Sequence, residues 1–223
     1  MNNRIKSAVK LDFYTMKSAQ AGQMMIVIAI VISTLIGFAT KQPVFTLAFF
    51  MVFAVFAGGT VFSTHEKSRS DRLYGILPLK KSEMISGRYL FALIIGAVSL
   101  ALAIIISLVL TRILSANFNP LLYLTVLAAA FVYYCFAVGI AFPIYLKYSF
   151  AKAYVFTMVP IYAVFLIAFF LIRRTGFLNS VGQSVSFFSN HQAMIPVIGV
   201  VAGLIMLTVS ALIANIVYRG KEI

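Results

Sequence analysis

The sequence predicts an all-α integral membrane protein with six transmembrane helices and an N-terminal interfacial amphipathic helix. Of its 223 residues, 62% are hydrophobic and only 10% are charged, whereas a soluble domain has about 25% charged residues. The mean hydropathy is +1.03. So few polar residues cannot cover a surface that faces water. The apolar residues form six long runs without the alternation typical of a β-strand.

The six runs occupy approximately residues 21–39, 44–62, 89–110, 121–146, 153–172 and 195–218. Their lengths are close to the ~20 residues that a helix needs to cross a bilayer. Helices are expected because a lipid-exposed segment must satisfy its backbone amides within itself. The links between the runs are short, so we expect residues 1–223 to form a single transmembrane domain.

Residues 1–20 precede the first run and predict a helix that lies in the membrane interface. Four apolar residues recur at spacings of four, four and three, as on one helical face: Ile5, Val9, Phe13 and Met16. Three lysines fall on the remaining face: Lys6, Lys10 and Lys17. A cationic amphipathic helix of this kind binds at the boundary between lipid and water. A disordered cytoplasmic tail is the alternative.

The distribution of lysine and arginine predicts the orientation of the spans. Fourteen of the 18 Lys and Arg residues, and all five acids, lie in the N-terminal segment, the second-to-third link, the fourth-to-fifth link and the C-terminal tail. The positive-inside rule therefore places both termini and residues 63–88 in the cytoplasm. We attribute the net charge of +13 to this topology and to contact with anionic lipid rather than to nucleic-acid binding.

Individual residues within the runs predict details of packing. Pro160 predicts a kink in the fifth run, which is either a local bend or a hinge. Gly199 and Gly203 have the G-x-x-x-G spacing that lets two helices approach closely, within one chain or across a dimer. The single cysteine, Cys135, is expected to be a small buried packing residue without a disulfide.

The sequence contains no complete enzyme motif among those considered. The six runs lack Asp, Glu, Lys, Arg and His, which argues against an ion-coupled transporter and against an intramembrane enzyme. His65-Glu66 begins like the zinc motif H-E-x-x-H, but Arg69 replaces the second histidine. Glu222 follows Gly220-Lys221, where a phosphate-binding loop needs Ser or Thr. We therefore expect no catalytic residue, metal site or cofactor on this chain. If ATP drives the protein, we expect another chain to hydrolyse it.

Residues 63–88 concentrate charge between the second and third runs, since nine of the 23 charged residues lie between positions 65 and 88. Pro78 disfavours a helical conformation at Leu77. We expect a short helix from about Ser70, an extended turn, and a second helix that leads into the third run. Four residues are too apolar for a free cytoplasmic loop: Leu73, Ile76, Leu77 and Leu79. They fit a groove on a partner protein, or else pack on the protein's own helices or on lipid.

The same segment resembles a known family. The residues that carry the resemblance are Leu77-Pro78-Leu79-Lys80-Lys81-Ser82-Glu83, followed by Gly87-Arg88-Tyr89. They are similar to the loop after span two in one branch of the ABC-2 type permease subunits of bacterial ABC transporters. That branch has a Leu-Pro-x-basic-basic-x-Glu stretch, and Arg88 stands where it has Lys. It also has an Asp-Glu pair after span two, of which His65-Glu66 matches only the glutamate.

The resemblance implies that residues 63–88 contain a cytoplasmic coupling helix, which docks in a groove of a separate ABC ATPase. That ATPase would bind ATP and Mg²⁺. A second permease subunit, identical or not, would complete the translocation pathway of an exporter in a bacterial cell membrane. Seven residues are then expected to contact the ATPase or to shape the loop: Glu66, Asp71, Arg72, Leu73, Leu77, Pro78 and Glu83.

Two other classes of function fit parts of the sequence. A membrane-embedded sensor or scaffold would use the same loop to hold a different cytoplasmic partner. A small integral enzyme is disfavoured because the runs lack ionisable residues. For an exporter, the 21 Phe and 11 Tyr residues and the charge-free runs suit an amphipathic or hydrophobic cargo, such as a membrane-active peptide, a lipid-like molecule or a drug.

Overall fold

The computed structural model describes residues 3–18, 20–67, 81–115, 118–173 and 194–219, and each regular element within these ranges is an α-helix. The seven helices are α1 (Asn3–Ser18), α2 (Gln20–Thr40), α3 (Val44–Lys67), α4 (Lys81–Ile113), α5 (Pro120–Lys147), α6 (Phe150–Arg173) and α7 (Met194–Arg219). The predicted all-α class is confirmed for this part of the chain.

Five of the helices in the described ranges are long and apolar enough to cross a membrane. Their apolar segments are Gly22–Thr40, Val44–Glu66, Ser82–Ile113, Pro120–Lys147 and Pro196–Tyr218. These segments coincide with five of the six predicted runs. The remaining run, 153–172, lies in α6, which is 24 residues long but does not belong to the five. A sixth span therefore stays a prediction.

The start of α5 shows how the sequence sets a helix boundary. Asn119 precedes Pro120, and its side-chain oxygen accepts hydrogen bonds from the backbone N–H groups of Leu121 and Leu122. An asparagine at this position satisfies amides that a helix start leaves unpaired. Proline at the first helical position loses no hydrogen bond that the helix would otherwise make. α5 therefore begins within one residue of the predicted run.

The helices α3 and α5 form the centre of the bundle. Most of the apolar segment of α3 is buried, and α3 packs against α2, α4 and α5. α5 has its most extensive contact with α7, where a Cβ added at Gly203 would lie 3.2 Å from Sγ of Cys135. Gly199 also approaches α5, at Val132. The G-x-x-x-G spacing thus serves packing within this chain, and Cys135 is fully buried as predicted.

Hydrogen bonds join neighbouring spans in places where water is scarce. The Tyr134 hydroxyl donates to the backbone carbonyl of Ala92 over 2.6 Å and so ties α5 to α4. Near the other end of α4, Ser107 Oγ donates to the carbonyl of Pro43 over 2.7 Å. A hydrogen bond between two helices, such as the one from Tyr134, contributes about 0.6 kcal/mol on average in a membrane protein, whereas the bond from Ser107 ties α4 to the turn between α2 and α3. Together they fix the relative positions of the helices.

One end of the bundle holds the connection between α3 and α4. We call it the loop end, because α3 ends and α4 begins there, on either side of residues 68–80. The ends of α5 and α7 reach the same place, since Tyr145 and Tyr218 line one cavity with His65 and Arg88. α1 also lies there and packs on α4, α3 and α2. The N-terminal helix and the end of the last helix are therefore at the same end of the bundle.

Two helix boundaries extend beyond the predicted runs. α4 begins at Lys81, eight residues before the third run, because its polar first turns continue the helix beyond the apolar stretch. α3 likewise continues to Lys67. Ionisable residues therefore occupy the end turns of both helices. The predicted helix leading into the third run is confirmed, whereas the expected short helix from Ser70 and the turn at Leu77 lie outside the described residues.

The helix predicted before the first span is present as α1, but its buried face differs from the prediction. Ala8 and Asp12 are its most buried residues, and Phe13, predicted for the apolar face, is 58% exposed. The small side chain of Ala8 allows close packing on α4, and Asp12 contacts α3. These two contacts turn Phe13 outward. The position of α1 in the membrane interface stays a prediction.

Candidate functional site

A buried pair of titratable side chains joins α1 to the end of α3. Nε2 of His65 lies 3.1 Å from Oδ1 of Asp12. The two residues are 3% and 1% exposed. Burying such groups is favourable only when they bond to each other or to other polar groups. This contact therefore joins α1 to the last turn of α3.

The next residue, Glu66, joins α3 to the start of α6. Its carboxylate accepts a hydrogen bond of 2.7 Å from Ser149 Oγ and another from the backbone N–H of Phe150. Phe150 is the first residue of α6, so Glu66 satisfies an amide at a helix start. The helix dipole also favours a negative charge at this position. Glu66 thereby sets the position of the turn between α5 and α6.

Three consecutive residues of α4 contact three different helices just after the helix begins. A Cβ added at Gly87 would lie 2.7 Å from the Cβ of Ala8, so α1 and α4 touch there. The Arg88 guanidinium lies 4.9 Å from the ring centre of Phe62 on α3. The Tyr89 hydroxyl bonds to Ser210 Oγ on α7 over 2.6 Å. The motif Gly87-Arg88-Tyr89 thus fixes the start of α4 within the bundle.

The Tyr89 contact extends to a third helix. Ser210 Oγ donates a hydrogen bond of 2.6 Å to the carbonyl of Gly139 on α5, so the Tyr89 hydroxyl is the donor to Ser210. The Tyr89 ring also packs against Phe142, with 5.3 Å between ring centres. One side chain of α4 therefore positions α5 and α7 together.

A cavity of about 250 Å³ lies among these contacts. Its lining combines charged side chains with aromatic rings, including Glu66, Arg88, Tyr145, Phe150 and Tyr218. The aromatic rings pack on each other: Tyr145 lies 4.9 Å from Phe150 between ring centres. The cavity is thus lined by the ends of α3, α5 and α7 and by the starts of α4 and α6.

The sequence-predicted site residues fall into two groups. Glu66 lies at the end of α3 and binds α6, and Glu83 lies in the first turn of α4, where the helix dipole favours its charge. The other five lie in residues 68–80, outside the described ranges: Asp71, Arg72, Leu73, Leu77 and Pro78. The structure therefore brings the two boundaries of the predicted coupling loop to one place and leaves the loop's own contacts as predictions.

Sequence reasoning missed most of the residues that hold these boundaries. The positive-inside rule places Asp12 on the cytoplasmic side without a specific role, and His65 does not match the family's acid. The structure places His65 against Asp12, which comes from a helix 53 residues away in sequence. One signal was available: Asp12 is the single acid before the first span. Nothing in the sequence pointed to Ser149 or Ser210.

The chemistry of the described residues is that of a mechanical junction. Within the described ranges, no group of three or more His, Cys, Asp or Glu residues is arranged to hold a metal ion. The contacts instead connect six helices at the loop end: α1, α3, α4, α5, α6 and α7. We therefore treat the boundaries of residues 68–80 as the candidate functional site.

Comparison with known proteins identifies the family. The family model for the ABC-2 family transporter protein matches residues 9–219. Neither a curated protein nor a solved structure matches the chain significantly. The family match agrees with the resemblance of the loop, whereas the assignment to one branch stays a prediction. Because the match spans nearly the whole chain, this membrane protein belongs to the ABC-2 transporter family.

Proposed function

We propose that the chain is the permease subunit of an ATP-driven exporter and that residues 63–88 couple it to a separate cytoplasmic ABC ATPase. The family supplies the class of transporter. The observation that carries the coupling proposal is that residues on both sides of 68–80 contact four other helices, α1, α5, α6 and α7. A force applied to the loop would reach all of them.

The contacts support a route for that force in two directions. At the end of α3, His65 acts on α1 and Glu66 acts on α6. At the start of α4, Tyr89 acts on α7 and α5. Packed helices with fixed polar contacts move as units rather than deform continuously. Docking and closure of an ATPase on the loop would therefore shift the loop ends of several spans at once.

The proposed orientation puts the loop end in the cytoplasm of a bacterial cell. Lys and Arg residues are concentrated in the segments that meet at this end, as the positive-inside rule requires. ATP and Mg²⁺ would bind to the partner ATPase. A second permease subunit, the same or related, would complete the pathway. The chain itself would take no part in ATP chemistry.

For the cargo we propose an amphipathic or hydrophobic molecule, such as a peptide, a lipid or a drug. The predicted runs carry no charged side chain that would bind an ion at depth. The aromatic residues would offer rings and a few hydroxyl groups to such a molecule. Stimulation of ATP hydrolysis by a panel of candidate cargoes would test this part separately.

The decisive experiment is extraction of the tagged chain from its native membrane in mild detergent. The co-purifying proteins are identified, and their ATP hydrolysis is measured. We expect a stoichiometric ABC ATPase that is lost in the variant L73D/L77D, because charges replace the apolar residues expected to fill the partner's groove. The control I113D/L114D introduces the same two charges where α4 ends, at the opposite end of the bundle, and should retain the ATPase.

The alternative function predicts a different result. If the chain is a membrane-embedded sensor or scaffold, a stable partner without ATPase activity should co-purify and should depend on the same two leucines. Full retention of the ATPase by a folded L73D/L77D variant would contradict docking through residues 63–88.

A further inference from the structure

The outward face of α1 has an unusual composition. Five residues fall within about 100° of the helix circumference, at 100° per residue: Lys6, Lys10, Phe13, Tyr14 and Lys17. We call them the outer stripe. Phe13 and Tyr14 are 58% and 56% exposed, and the three lysines are exposed as well. Two large aromatic rings and three cations thus share one surface, and the helix's one acid, Asp12, lies outside it.

The rest of the structure fixes the direction of this stripe. Ala8 and Asp12, on the opposite side of α1, are buried against α4 and α3. Successive turns of α1 therefore cross the ends of two different helices. The outer stripe must point away from the bundle at the loop end.

The length of α3 sets the depth of α1 in the membrane. His65, which binds α1, is 21 residues beyond Val44, the first residue of α3. At a rise of 1.5 Å per residue, this distance is about 32 Å. The hydrocarbon core of a bilayer is about 30 Å thick. When the start of α3 lies at one surface of the core, α1 lies at the level of the lipid headgroups on the other.

We propose that the outer stripe is a docking surface for anionic phospholipid headgroups. Lysine ammonium groups bind headgroup phosphates, and rings of the Phe13 and Tyr14 kind favour the boundary between headgroups and acyl chains. Lys10 Nζ lies 5.8 Å from the ring centre of Tyr14, so cation and ring occupy the same patch. An acidic protein surface would match the charges but would leave the two rings in a polar contact. The inference goes beyond the proposed function and requires no ATPase.

The sequence offers a specific probe for this surface, since the chain contains no tryptophan. The variant F13W places one tryptophan within the stripe. The full chain is reconstituted in vesicles of equal parts phosphatidylcholine and phosphatidylglycerol, with bromine on the acyl chains of only one lipid. Bromine quenches a neighbouring tryptophan, so the two samples compare the lipids next to residue 13. We expect phosphatidylglycerol to outnumber phosphatidylcholine next to residue 13 on the order of fivefold, so that the brominated phosphatidylglycerol is the stronger quencher.

Charge variants separate the proposal from a nonspecific membrane contact. K6Q/K10Q/K17Q in the F13W background should remove the enrichment while bromine quenching persists, because the ring remains in the interface. K6R/K10R/K17R in the same background keeps the three positive charges and should therefore show the enrichment. The control K147Q/K152Q removes two exposed lysines elsewhere and should leave it unchanged. Salt at 1 M, where the screening length is about 3 Å, should also reduce the enrichment.

Two results would overturn the inference. Equal quenching by the two brominated lipids would mean that the surface does not select anionic headgroups. Quenching of the F13W tryptophan by aqueous iodide but not by either brominated lipid would mean that the stripe faces water or a protein partner. Neither result would bear on the ATPase, so this inference and the proposed function fail separately.

Discussion

Asp12 and His65 make the contact that most directly ties α1 to the rest of the protein. Both side chains are almost completely buried, and their atoms lie 3.1 Å apart. Removing one member of such a pair deprives the other of a buried hydrogen-bond partner, which costs free energy. This is the residue-scale basis for treating α1 as part of the junction rather than as an independent tail.

A double-mutant cycle should detect this pairing. We expect D12A and H65A each to lower the free energy of unfolding in detergent by about 1–3 kcal/mol. The double variant D12A/H65A should lose less free energy of unfolding than the two single variants lose together. The difference, which is the interaction energy, should be about 1 kcal/mol or more. The control cycle combines D12A with S107A, which lies near the opposite end of α4, and should be additive. Additivity of D12A and H65A would contradict the pairing.

At the scale of the elements, hydropathy predicted the positions of the helices but not how they meet. The third run was predicted from residue 89 and the helix starts at Lys81, because polar residues can extend a helix that apolar residues anchor. The charge distribution places Asp12 on the cytoplasmic side but does not predict its burial against His65. A pair separated by 53 residues leaves no local pattern. The Gly87 contact with Ala8 likewise depends on tertiary structure alone.

The close approach of α1 and α4 makes a prediction about Gly87. G87A would place a Cβ 2.7 Å from that of Ala8, which overpacks the contact at a cost of about 1–3 kcal/mol. Hydrogen exchange of residues 3–18 should therefore accelerate. Adding A8G should partly restore protection, because glycine makes room but weakens the helix. The control G58A adds a methyl group with no atom within 4 Å of it and should leave the exchange of α1 unchanged.

The arrangement of α5 and α7 predicts that α6 is the sixth span. Gly199 lies near Val132 and Ser210 bonds Gly139, so the two helices run in the same direction. The chain must then return across the bundle between them, and α6 starts at the loop end beside Glu66. Y148C and S184C are introduced one at a time in a C135A background. The two cysteines should react with an impermeant maleimide from opposite sides of sealed vesicles. Reaction of both from one side would show that α6 does not cross.

At the scale of the whole molecule, the sequence indicated the family and the importance of residues 63–88, and the match to the ABC-2 transporter family bears out the first. The structure adds that the boundaries of the loop are the points where other helices converge. α1 meets the loop end through His65, α6 through Glu66, and α5 and α7 through Tyr89. In the proposed function, this arrangement would separate two events, docking of a partner on the loop and transmission of its movement to the spans.

The measurement that tests this account most directly is the stimulation of ATP hydrolysis by the permease, expressed per bound ATPase in reconstituted vesicles. We expect the wild-type chain to change the turnover of its ATPase, and D12A/H65A and E66A to keep the ATPase bound while losing that effect. Loss through misfolding is excluded by retained binding and by an unfolding measurement on a parallel sample, which must show that both variants are still folded at the assay temperature. If both variants bind the ATPase and stimulate it as the wild type does, the loop boundaries do not transmit its cycle, and the central claim is wrong.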